Sequence, residues 1–393
     1  MQLTRKRNEL IAPDDQPRAK RPRKRWKRVA KWTLGAVLLA VVLWGFVAYW
    51  TSTNDCDREA AAPQNSMKAV VYCDYGLTNL KVQEIEKPIP SDDQVLVRVR
   101  AASLNPLEGH FVRGMWLMRL MGGGLRKPKD TRLGVDYAGT VEAVGKNVTQ
   151  FKPGDEVFGG RNGALAQYIC PRADRAIALK PANISFEQAG SVGVAGLTAL
   201  QGLRDKGHLQ AGQKVLINGA SGGVGTFAVQ IAKSLGAEVT GVCSTRNVDL
   251  VKSLGADHVI DYTKEDFTKS DQRYDVILDN VQNHTFSERR RVLSPNGICV
   301  LVGLGGAGWH EDTMTHLIRS FTTPLMSKFT SQKFGFFVAQ LNHEDLAFFA
   351  DLMQSGKVTP VIDRTYKSLG EVRDALEYLE GGHARGKVVI AVE

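Results

Sequence analysis

A glycine-rich segment near the middle of the chain contains the residues best suited to bind a ligand. Residues 215–218 have the apolar composition of a buried strand, and a helix-forming sequence begins at Thr226. Glycines at three-residue spacing between them let the backbone turn tightly and approach a diphosphate, whose charge the N–H groups of the following helix favour. The alternative is a glycine-rich turn without function. We predict a dinucleotide site at Gly219, Ala220, Ser221, Gly222, Gly223, Val224 and Gly225.

The residues after the second strand of this βαβ pattern predict which dinucleotide binds. Sites for NAD(H) place an Asp or Glu at this strand end, where it holds the ribose hydroxyls. Here residues 238–243 are followed by Ser244, Thr245 and Arg246, without an acidic residue. Hydroxyls and a guanidinium suit a 2′-phosphate, because Arg forms paired charged hydrogen bonds with phosphate. We predict NADP(H) rather than NAD(H); the alternative is that Arg246 is simply solvated.

The sequence on either side of this segment predicts the strands and helices that position it. Residues 67–188 contain short β-rich runs separated by turns, and VLVRVR and TVEAV alternate apolar and polar residues as half-buried strands do. From about residue 190 strands alternate with helices, which is typical of a parallel sheet. We predict an α/β fold with a β-rich domain before a dinucleotide-binding domain.

The charge and cysteine content exclude several classes of protein. The net charge is +10, but residues 1–32 alone contain twelve Lys or Arg and three acidic residues, so the rest of the chain gives little support for nucleic-acid binding. Five scattered cysteines without a CxxC pair argue against a disulfide framework and a structural zinc cluster. They favour five free thiols in a reducing compartment.

An apolar segment follows the basic tail. After the basic tail at 1–32, residues 33–50 are uncharged and strongly apolar, with Trp and Tyr at the ends, as in a single transmembrane helix. Residues 51–66 form a polar spacer. A buried soluble helix is one alternative, and a signal peptide cleaved near the alanines at 60–62 is another.

Two arguments disagree about the side of the membrane on which residues 67–393 lie. The basic residues before the apolar segment and the acidic spacer behind it predict a body outside the cytoplasm. NADPH is normally available inside the cell, and free cysteines prefer a reducing compartment. Both considerations favour the cytoplasmic side instead.

Several stretches spread over residues 67–393 match a known family: Asn105-Pro106-Leu107-Glu108, LGVDYAGTVEAVG, FKPGDEVFG, GLTALQGL, GASGGVGTFAVQIAK, SLGADHVIDY and GHARGKVVI. With these stretches, residues 67–393 resemble the medium-chain dehydrogenase/reductase superfamily, and within it the zinc-independent quinone oxidoreductase and enoyl-reductase-like branch. The resemblance implies a GroES-like catalytic domain at 67–188, a Rossmann domain at 189–325 and a C-terminal return to the catalytic domain at 326–393, with the active site in the cleft between domains.

The resemblance also bears on metal binding. Where zinc-dependent members of the superfamily have Cys, Gly-His-Glu and a second Cys or Asp, this chain has Asn105-Pro106, Gly134-Val135-Asp136 and residues 190–193. The four-Cys structural lobe is missing as well. Without thiolates or imidazoles at these positions, we expect no zinc.

The same resemblance implies roles for individual residues. Asn105 would face the nicotinamide or the substrate oxygen, and His110 stands where a Tyr is common, so it would donate a hydrogen bond or proton. His110 is alternatively a solvent-exposed loop residue, and Tyr137 is a rival for its role. The implied cofactor contacts are Thr198 near the ribose and phosphates, Tyr262 on the adenine side, Lys387 at a phosphate, and Gly303 and Gly305 in the loop under the nicotinamide. Thr198 could instead cap a helix, and Lys387 could be an exposed strand residue.

The leading functional hypothesis is a membrane-anchored, NADPH-dependent oxidoreductase that transfers hydride to a lipophilic quinone or α,β-unsaturated carbonyl. The alternatives are a zinc-type alcohol dehydrogenase and a non-catalytic NADPH-binding sensor or scaffold. The Met- and Trp-rich residues 115–128 are either a lid over the substrate, ordinary packing or a membrane contact. Residues 308–337 are a candidate homodimer edge or pocket wall.

Overall fold

The structure is a computed structural model that describes residues 23–50, 53–54, 56, 65–303, 326–327 and 330–392, with the side chains from residue 31 onward except 121 and 122. The chain forms two compact units, residues 1–51 and 52–393. The predicted site residue Gly305 and most of the candidate dimer edge lie outside the described residues.

The first unit contains a single long helix, α1 (Arg23–Trp50). Its stretch Lys31–Trp50 has 20 residues with a mean hydropathy of 2.0 and no part buried in protein. At 1.5 Å per residue it is about 30 Å long, which matches the hydrocarbon core of a bilayer. Length and composition therefore permit a membrane span, although a signal sequence meets the same criteria.

The second unit begins with β-structure, as the alternating runs predict. In the central strand β3 (Val95–Leu104), Val95, Val97 and Val99 are buried, whereas Arg98 and Arg100 are exposed. β1 (Ser66–Tyr72) and β2 (Leu80–Glu86) form an antiparallel pair. The larger sheet has the order β14-β15-β3-β4-β5-β7, with β6 paired to β3. Its strands are β3 (Val95–Leu104), β4 (Asp136–Val144), β5 (Glu156–Gly160), β6 (Tyr168–Ile169), β7 (Ile177–Leu179), β14 (Ile362–Tyr366) and β15 (Lys387–Ala391).

The second half of the unit contains a six-stranded parallel sheet. Its order is β10-β9-β8-β11-β12-β13, so the strand order reverses beside β8. In such sheets ligands bind outside the carboxyl ends of the strands at this reversal. The strands are β8 (Lys214–Asn218), β9 (Glu238–Cys243), β10 (His258–Asp261), β11 (Tyr274–Asp279), β12 (Leu293–Val302) and β13 (Lys333–Phe337).

The helices connect and cover these sheets. α6 follows β8 directly and carries the glycine-rich turn at its beginning. The described helices of this unit are α2 (Pro106–Val112), α3 (Trp116–Met118), α4 (Phe186–Ala189), α5 (Gly193–Gln201), α6 (Gly223–Ser234), α7 (Val248–Ser253), α8 (Phe286–Val292), α9 (His343–Gln354) and α10 (Val372–Glu380).

The dinucleotide-binding sheet includes a strand beyond residue 326, where the predicted boundary lies. β13 pairs in parallel with β12, so residues 333–337 still belong to the dinucleotide-binding sheet. The return to the first domain is made later, where β15 pairs antiparallel with β3. β13 buries only Phe334 and Phe337 and lacks the continuous apolar run of a central parallel strand.

The structure corrects the expectation of five free cysteines. Cys56 and Cys73 form a disulfide, with their Cα atoms 5.7 Å apart. The other three cysteines are free and buried: Cys170, Cys243 and Cys299. The spacing of cysteines in the sequence carries no information on this pair, because the fold brings Cys56 beside Cys73 at the end of β1.

Candidate active site

The glycine-rich turn has the geometry that a diphosphate site requires. Gly219 has a φ of +80°, a region that favours glycine. A Cβ on Gly225 would overlap the carbonyl oxygen of Gly219, so helix and strand approach too closely for any side chain. Gly222 precedes α6 without a side-chain cap, which leaves N–H groups of the first turn available for a ligand. These features fit a bound dinucleotide diphosphate.

Asn247 holds the two serines of the predicted site together. Its Nδ2 donates to Ser221 Oγ at 3.0 Å and to Ser244 Oγ at 3.1 Å. The residue is 5% exposed, and both serine hydroxyls stay beside the cavity. This asparagine was not predicted, because it follows the strand-end residues without a motif of its own.

The two other residues after β9 differ in orientation. Arg246 lines the cavity, is exposed, and donates from Nη2 to the carbonyl oxygen of His383 at 2.7 Å. Thr245 does not line the cavity, because its hydroxyl donates to Asp261 Oδ2 at 2.6 Å. This hydrogen bond is the main cause that lowers the pKa of Asp261 to about 2. Arg246 and Ser244 thus face the ligand space, whereas Thr245 faces a carboxylate.

Asn105 lies at the other end of the cavity, directly before α2. Its backbone N–H donates to Glu108 Oε2 at 2.8 Å in a capping box that begins the helix. Its side-chain Nδ2 donates to Asp136 Oδ2 at 3.0 Å, and its Oδ1 accepts from Lys387 Nζ at 2.6 Å. The carboxylate on one side and the ammonium on the other fix the orientation of the amide.

Asp136 ties this cluster to the dinucleotide-binding half. It is fully buried and accepts from Ser103 Oγ at 2.9 Å and from Lys387 Nζ at 3.2 Å. Its other oxygen accepts from the backbone N–H of Val194 at 2.7 Å, in the first turn of α5. The sequence singled out Asp136 only as a residue in a zinc-ligand position, and its hydrogen-bonding role was missed.

Two titratable residues on α2 have shifted pKa values. Burial, followed by the charge of Asp136, raises the pKa of Glu108 to about 7. Burial lowers the pKa of His110 to about 4, against a smaller opposing effect of Glu380. His110 lines the cavity, but its ring is neutral at neutral pH and can donate only an N–H hydrogen bond. The prediction that it supplies a proton rested on an ordinary pKa.

Besides Thr245 and Gly303, three predicted residues do not line the cavity. Tyr137 is fully buried in the core of the first domain, on the opposite side of β4 from Asp136, and burial raises the pKa of its hydroxyl. Thr198 lies inside α5 and donates to the carbonyl of Val194 at 2.7 Å. Ala220 is fully buried behind the glycine turn. Each of them faces the protein interior.

The remaining predicted residues have mixed positions. Tyr262 lines the cavity and is 61% exposed. Gly303 follows β12 with a φ of +62°, and its carbonyl accepts from Gln282 Nε2 at 3.0 Å. Lys387 is 3% exposed, so it is not the exposed strand residue of the alternative interpretation. Its predicted contact with a phosphate stays untested.

A single cavity of about 810 Å³ connects the glycine-rich turn to the cluster around Asn105. It extends from the glycine turn and Arg246 to Asn105 and His110, with Leu104, Pro106 and Met115 as apolar neighbours of the latter. Of residues 115–128, Met115 contributes to this wall, Met118 is buried, and Trp116 is 45% exposed. The segment therefore combines a cavity wall with ordinary packing.

Among the side chains that the structure describes, no group of three or more His, Cys, Asp or Glu is arranged to hold a metal ion. At the positions that hold zinc ligands in zinc-dependent members of the superfamily, this chain has one carboxylate, that of Asp136. This carboxylate already accepts four hydrogen bonds. Zinc independence stays a prediction.

Comparisons with known proteins agree with this architecture. Residues 91–244 match the alcohol dehydrogenase GroES-like domain, and residues 254–390 match the zinc-binding dehydrogenase family. The chain is 35% identical over 342 residues to a 2-methylene-furan-3-one reductase of Solanum lycopersicum, which covers 83% of this chain and 79% of the relative. It is 34% identical over 347 residues to an NADPH-dependent alkenal/one oxidoreductase of Arabidopsis thaliana, covering 84% and 81%.

A solved structure supports the same assignment. The quinone oxidoreductase from Coxiella burnetii is similar with a TM-score of 0.73 and 31% identity, covering 84% of this chain and all of that one. The predicted GroES-like plus Rossmann fold is confirmed. On this fold, these sequence matches and the dinucleotide-type turn, the chain belongs to the medium-chain dehydrogenase/reductase superfamily of oxidoreductases.

Proposed function

We propose that the protein is an NADPH-dependent reductase of lipophilic quinones or α,β-unsaturated carbonyl compounds. One observation carries the proposal: a single cavity connects the diphosphate-type turn at Gly219–Gly225 to the polar cluster around Asn105. The names of the relatives point to the same substrates, since they include reductases of alkenals and quinones.

The cofactor end of the cavity supports NADP(H). Arg246 and Ser244 face the ligand space, and no acidic residue follows β9 to hold two ribose hydroxyls. A guanidinium beside the ribose favours a 2′-phosphate. Arg246→Ala is expected to raise the KM for NADPH by about 10- to 100-fold, which corresponds to one lost charged hydrogen bond, and to leave the KM for NADH within about threefold.

The substrate end supports a conjugated carbonyl. Leu104, Pro106 and Met115 offer apolar surface, and Asn105 offers an oriented amide N–H. When bound, NADPH supplies the hydride and carries the redox chemistry. The protein has to hold the electrophilic carbon in place, exclude water and donate hydrogen bonds to the oxygen on which charge develops.

Function without zinc belongs to the same proposal. The residues at the positions of the zinc ligands are Asn105, Asp136 and a Gly-Ser-Val-Gly stretch, which do not form a set of thiolates and imidazoles. Metal analysis of the purified protein is expected to find less than about 0.1 zinc per chain, and dialysis against a chelator is expected to leave the rate unchanged. Stoichiometric zinc that is needed for activity would instead support the alcohol dehydrogenase alternative.

Membrane anchoring through α1 is also proposed, with the catalytic unit on the non-cytoplasmic side. The basic tail before the span supports this orientation. The Cys56–Cys73 disulfide adds a second argument, because disulfides persist in oxidising compartments. The three free cysteines are buried and need no reducing surroundings.

Protease treatment of intact cells or oriented vesicles tests this arrangement. The body is expected to be digested from outside without permeabilisation, and a thiol-reactive polyethylene glycol is expected to label the unfolded chain at three cysteines without reductant and five with it. Protection of the body from protease would reverse the proposed orientation. A fully soluble, shortened chain would favour the signal-peptide alternative.

A steady-state assay tests the reductase itself. The full chain in detergent is mixed with NADPH and a panel of quinones and enones, and absorbance at 340 nm is followed. We expect NADPH oxidation in a 1:1 ratio with substrate reduction. Tight NADPH binding without oxidation across the panel would support the sensor or scaffold alternative.

A further inference from the structure

We infer that Lys387 and Asn105 together form the hydrogen-bond donor site for the substrate oxygen, and that Asp136 positions both donors. This inference rests on the proposed function, because it requires a substrate whose carbonyl oxygen becomes negatively charged. It differs from the phosphate contact that the resemblance implied for Lys387.

Lys387 reaches across the cavity from one functional end to the other. Its neighbour Gly386 forms an isolated bridge with Gly222, at the turn that precedes α6. The Cδ of Lys387 would lie only 3.1 Å from a Cβ on Gly223, so the aliphatic stem packs against the diphosphate end. The ammonium extends farther, to Asn105 Oδ1 at 2.6 Å. The charged group is therefore directed toward the substrate end.

The hydrogen bonds of the cluster leave two donors for a ligand. The ammonium has three N–H bonds, and its partners are Asn105 Oδ1 and Asp136 Oδ2. The Asn105 amide has two N–H bonds, and one is donated to Asp136. Both residues line the cavity. One N–H of each residue thus remains for an oxygen that enters between them.

Asp136 acts through these two residues rather than on the ligand. Its side chain is fully buried and does not line the cavity. It accepts hydrogen bonds from Ser103, Asn105, Lys387 and the backbone of Val194, which hold the carboxylate in a fixed position. A buried carboxylate that is satisfied in this way orients the ammonium through a charged hydrogen bond and prevents the amide from rotating.

The chemistry of an enone or quinone needs such a donor pair. When a hydride forms the new C–H bond at the electrophilic carbon, the π electrons of the C=C bond move toward the carbonyl carbon and the C=O pair moves onto oxygen. The ammonium and the amide stabilise that oxyanion, and water then supplies the proton that completes the two-electron reduction by NADPH. Removal of one oxyanion donor costs about 100- to 1,000-fold in rate in other enzymes.

A phenol that cannot be reduced reports on the donor pair without turnover. We propose to titrate 4-nitrophenol bound to the full chain in detergent with saturating NADP⁺, and to read its ionisation from absorbance at 400 nm. An oxyanion site binds the phenolate in preference to the phenol, so the pKa of the bound probe should fall below that of the free probe. In Lys387→Met the phenolate affinity should fall about 10- to 100-fold, which corresponds to one lost charged hydrogen bond. The affinity for the neutral phenol should change less than threefold.

The rates provide the second readout. Lys387→Met is expected to lower kcat about 100- to 1,000-fold and to leave the Kd for NADPH within about threefold. Lys180→Met is the matched control, because the Lys180 side chain is 4% exposed, pairs with Glu156 at 2.9 Å, and lies away from the cavity. This control should lose stability and keep kcat and probe binding.

The outcomes separate the two proposals. A bound probe whose pKa is unchanged or raised in the wild-type chain overturns the donor site, whatever the variants do. A Lys387→Met chain that binds NADPH more than tenfold more weakly with unchanged phenolate affinity also overturns it, in favour of a phosphate contact. A wild-type chain that lowers the pKa of the probe but oxidises no NADPH contradicts the proposed reductase while the oxyanion site itself stands.

Discussion

The buried carboxyl of Glu108 gives the sharpest test of the electrostatics around Asn105. The perturbation is Glu108→Gln, which removes the titrating group and keeps an oxygen that can accept the Asn105 N–H of the capping box. We expect the variant and the wild type to have similar stability at pH 4.5. At pH 8 the variant should be the more stable of the two.

The magnitude follows from the two pKa values of the carboxyl. In the unfolded chain Glu108 loses its proton near 4.5, and in the folded chain burial and Asp136 raise the pKa to about 7. Between these values the folded state holds a proton that the unfolded state has released, so stability falls as pH rises. At 1.36 kcal/mol for each pKa unit, the free energy of unfolding falls by at most about 3 kcal/mol across this range.

His110 makes the comparison with a variant necessary. Burial lowers its pKa from 6.5 to about 4, so in that range the unfolded state binds the extra proton and stability rises with pH. The two residues therefore have opposite effects in the wild type over much of the same pH range. The difference between wild type and Glu108→Gln isolates the carboxyl.

Urea unfolding of the detergent-solubilised chain from pH 4.5 to 8, followed by near-ultraviolet circular dichroism, measures this difference. Glu86→Gln is the control, because Glu86 is exposed on β2. It should show no trend of this size. A difference between wild type and Glu108→Gln that varies by less than about 0.5 kcal/mol over the range would refute the reasoning that burial holds this carboxyl protonated.

Three further predictions concern other parts of the molecule. Gly225→Ala should abolish NADPH binding in calorimetry, because its Cβ would overlap the Gly219 carbonyl in the diphosphate turn. Arg289→Met should lower the free energy of unfolding by about 3–5 kcal/mol in urea titrations. The fully buried carboxylate of Asp279 lies 2.6 Å from Arg289 Nε and would lose its cation. Tyr75→Phe should raise the KM for bulky enones several-fold without changing the KM for NADPH, because the Tyr75 hydroxyl lies 2.8 Å from the carbonyl oxygen of Gly123 and helps to hold the loop that follows Met115.

Controls for these variants come from the same chain. Gly335→Ala adds a Cβ where no atom lies within 4 Å, so it should bind NADPH normally. Normal NADPH binding by Gly225→Ala would remove the diphosphate assignment of the turn. A loss below about 1 kcal/mol for Arg289→Met would mean that water solvates the carboxylate, and equal KM changes for small and bulky enones would argue against the role of Tyr75 in the loop.

The cofactor end was predictable because its signals are local in sequence. Gly219 and Gly222 lie between β8 and α6, and Gly225 lies in the first turn of α6, which begins at Gly223, three residues before the predicted Thr226. Thr245 shows the limit of this reasoning. A hydroxyl after β9 suits a phosphate, but the neighbouring strand β10 brings Asp261, which binds that hydroxyl instead.

The substrate end could not be derived from local patterns. Asp136 and Lys387 are 251 positions apart in sequence and meet only because β15 returns to the sheet that contains β3 and β4. The shifted pKa of His110 depends on burial in the folded chain, and the pairing of Cys56 with Cys73 depends on how the chain folds back over 17 positions. Burial and long-range pairing decide these features, and neither leaves a motif.

Hydride transfer itself is the most direct test of the central claim. NADPH deuterated at C4 of the nicotinamide, prepared separately on each face, is mixed with the full chain and an enone, and the product is analysed by mass spectrometry and NMR. We expect one deuterium from one of the two faces at the β-carbon of the saturated ketone. Saturated ketone without deuterium from either face, or no product while NADPH stays bound, would contradict the account.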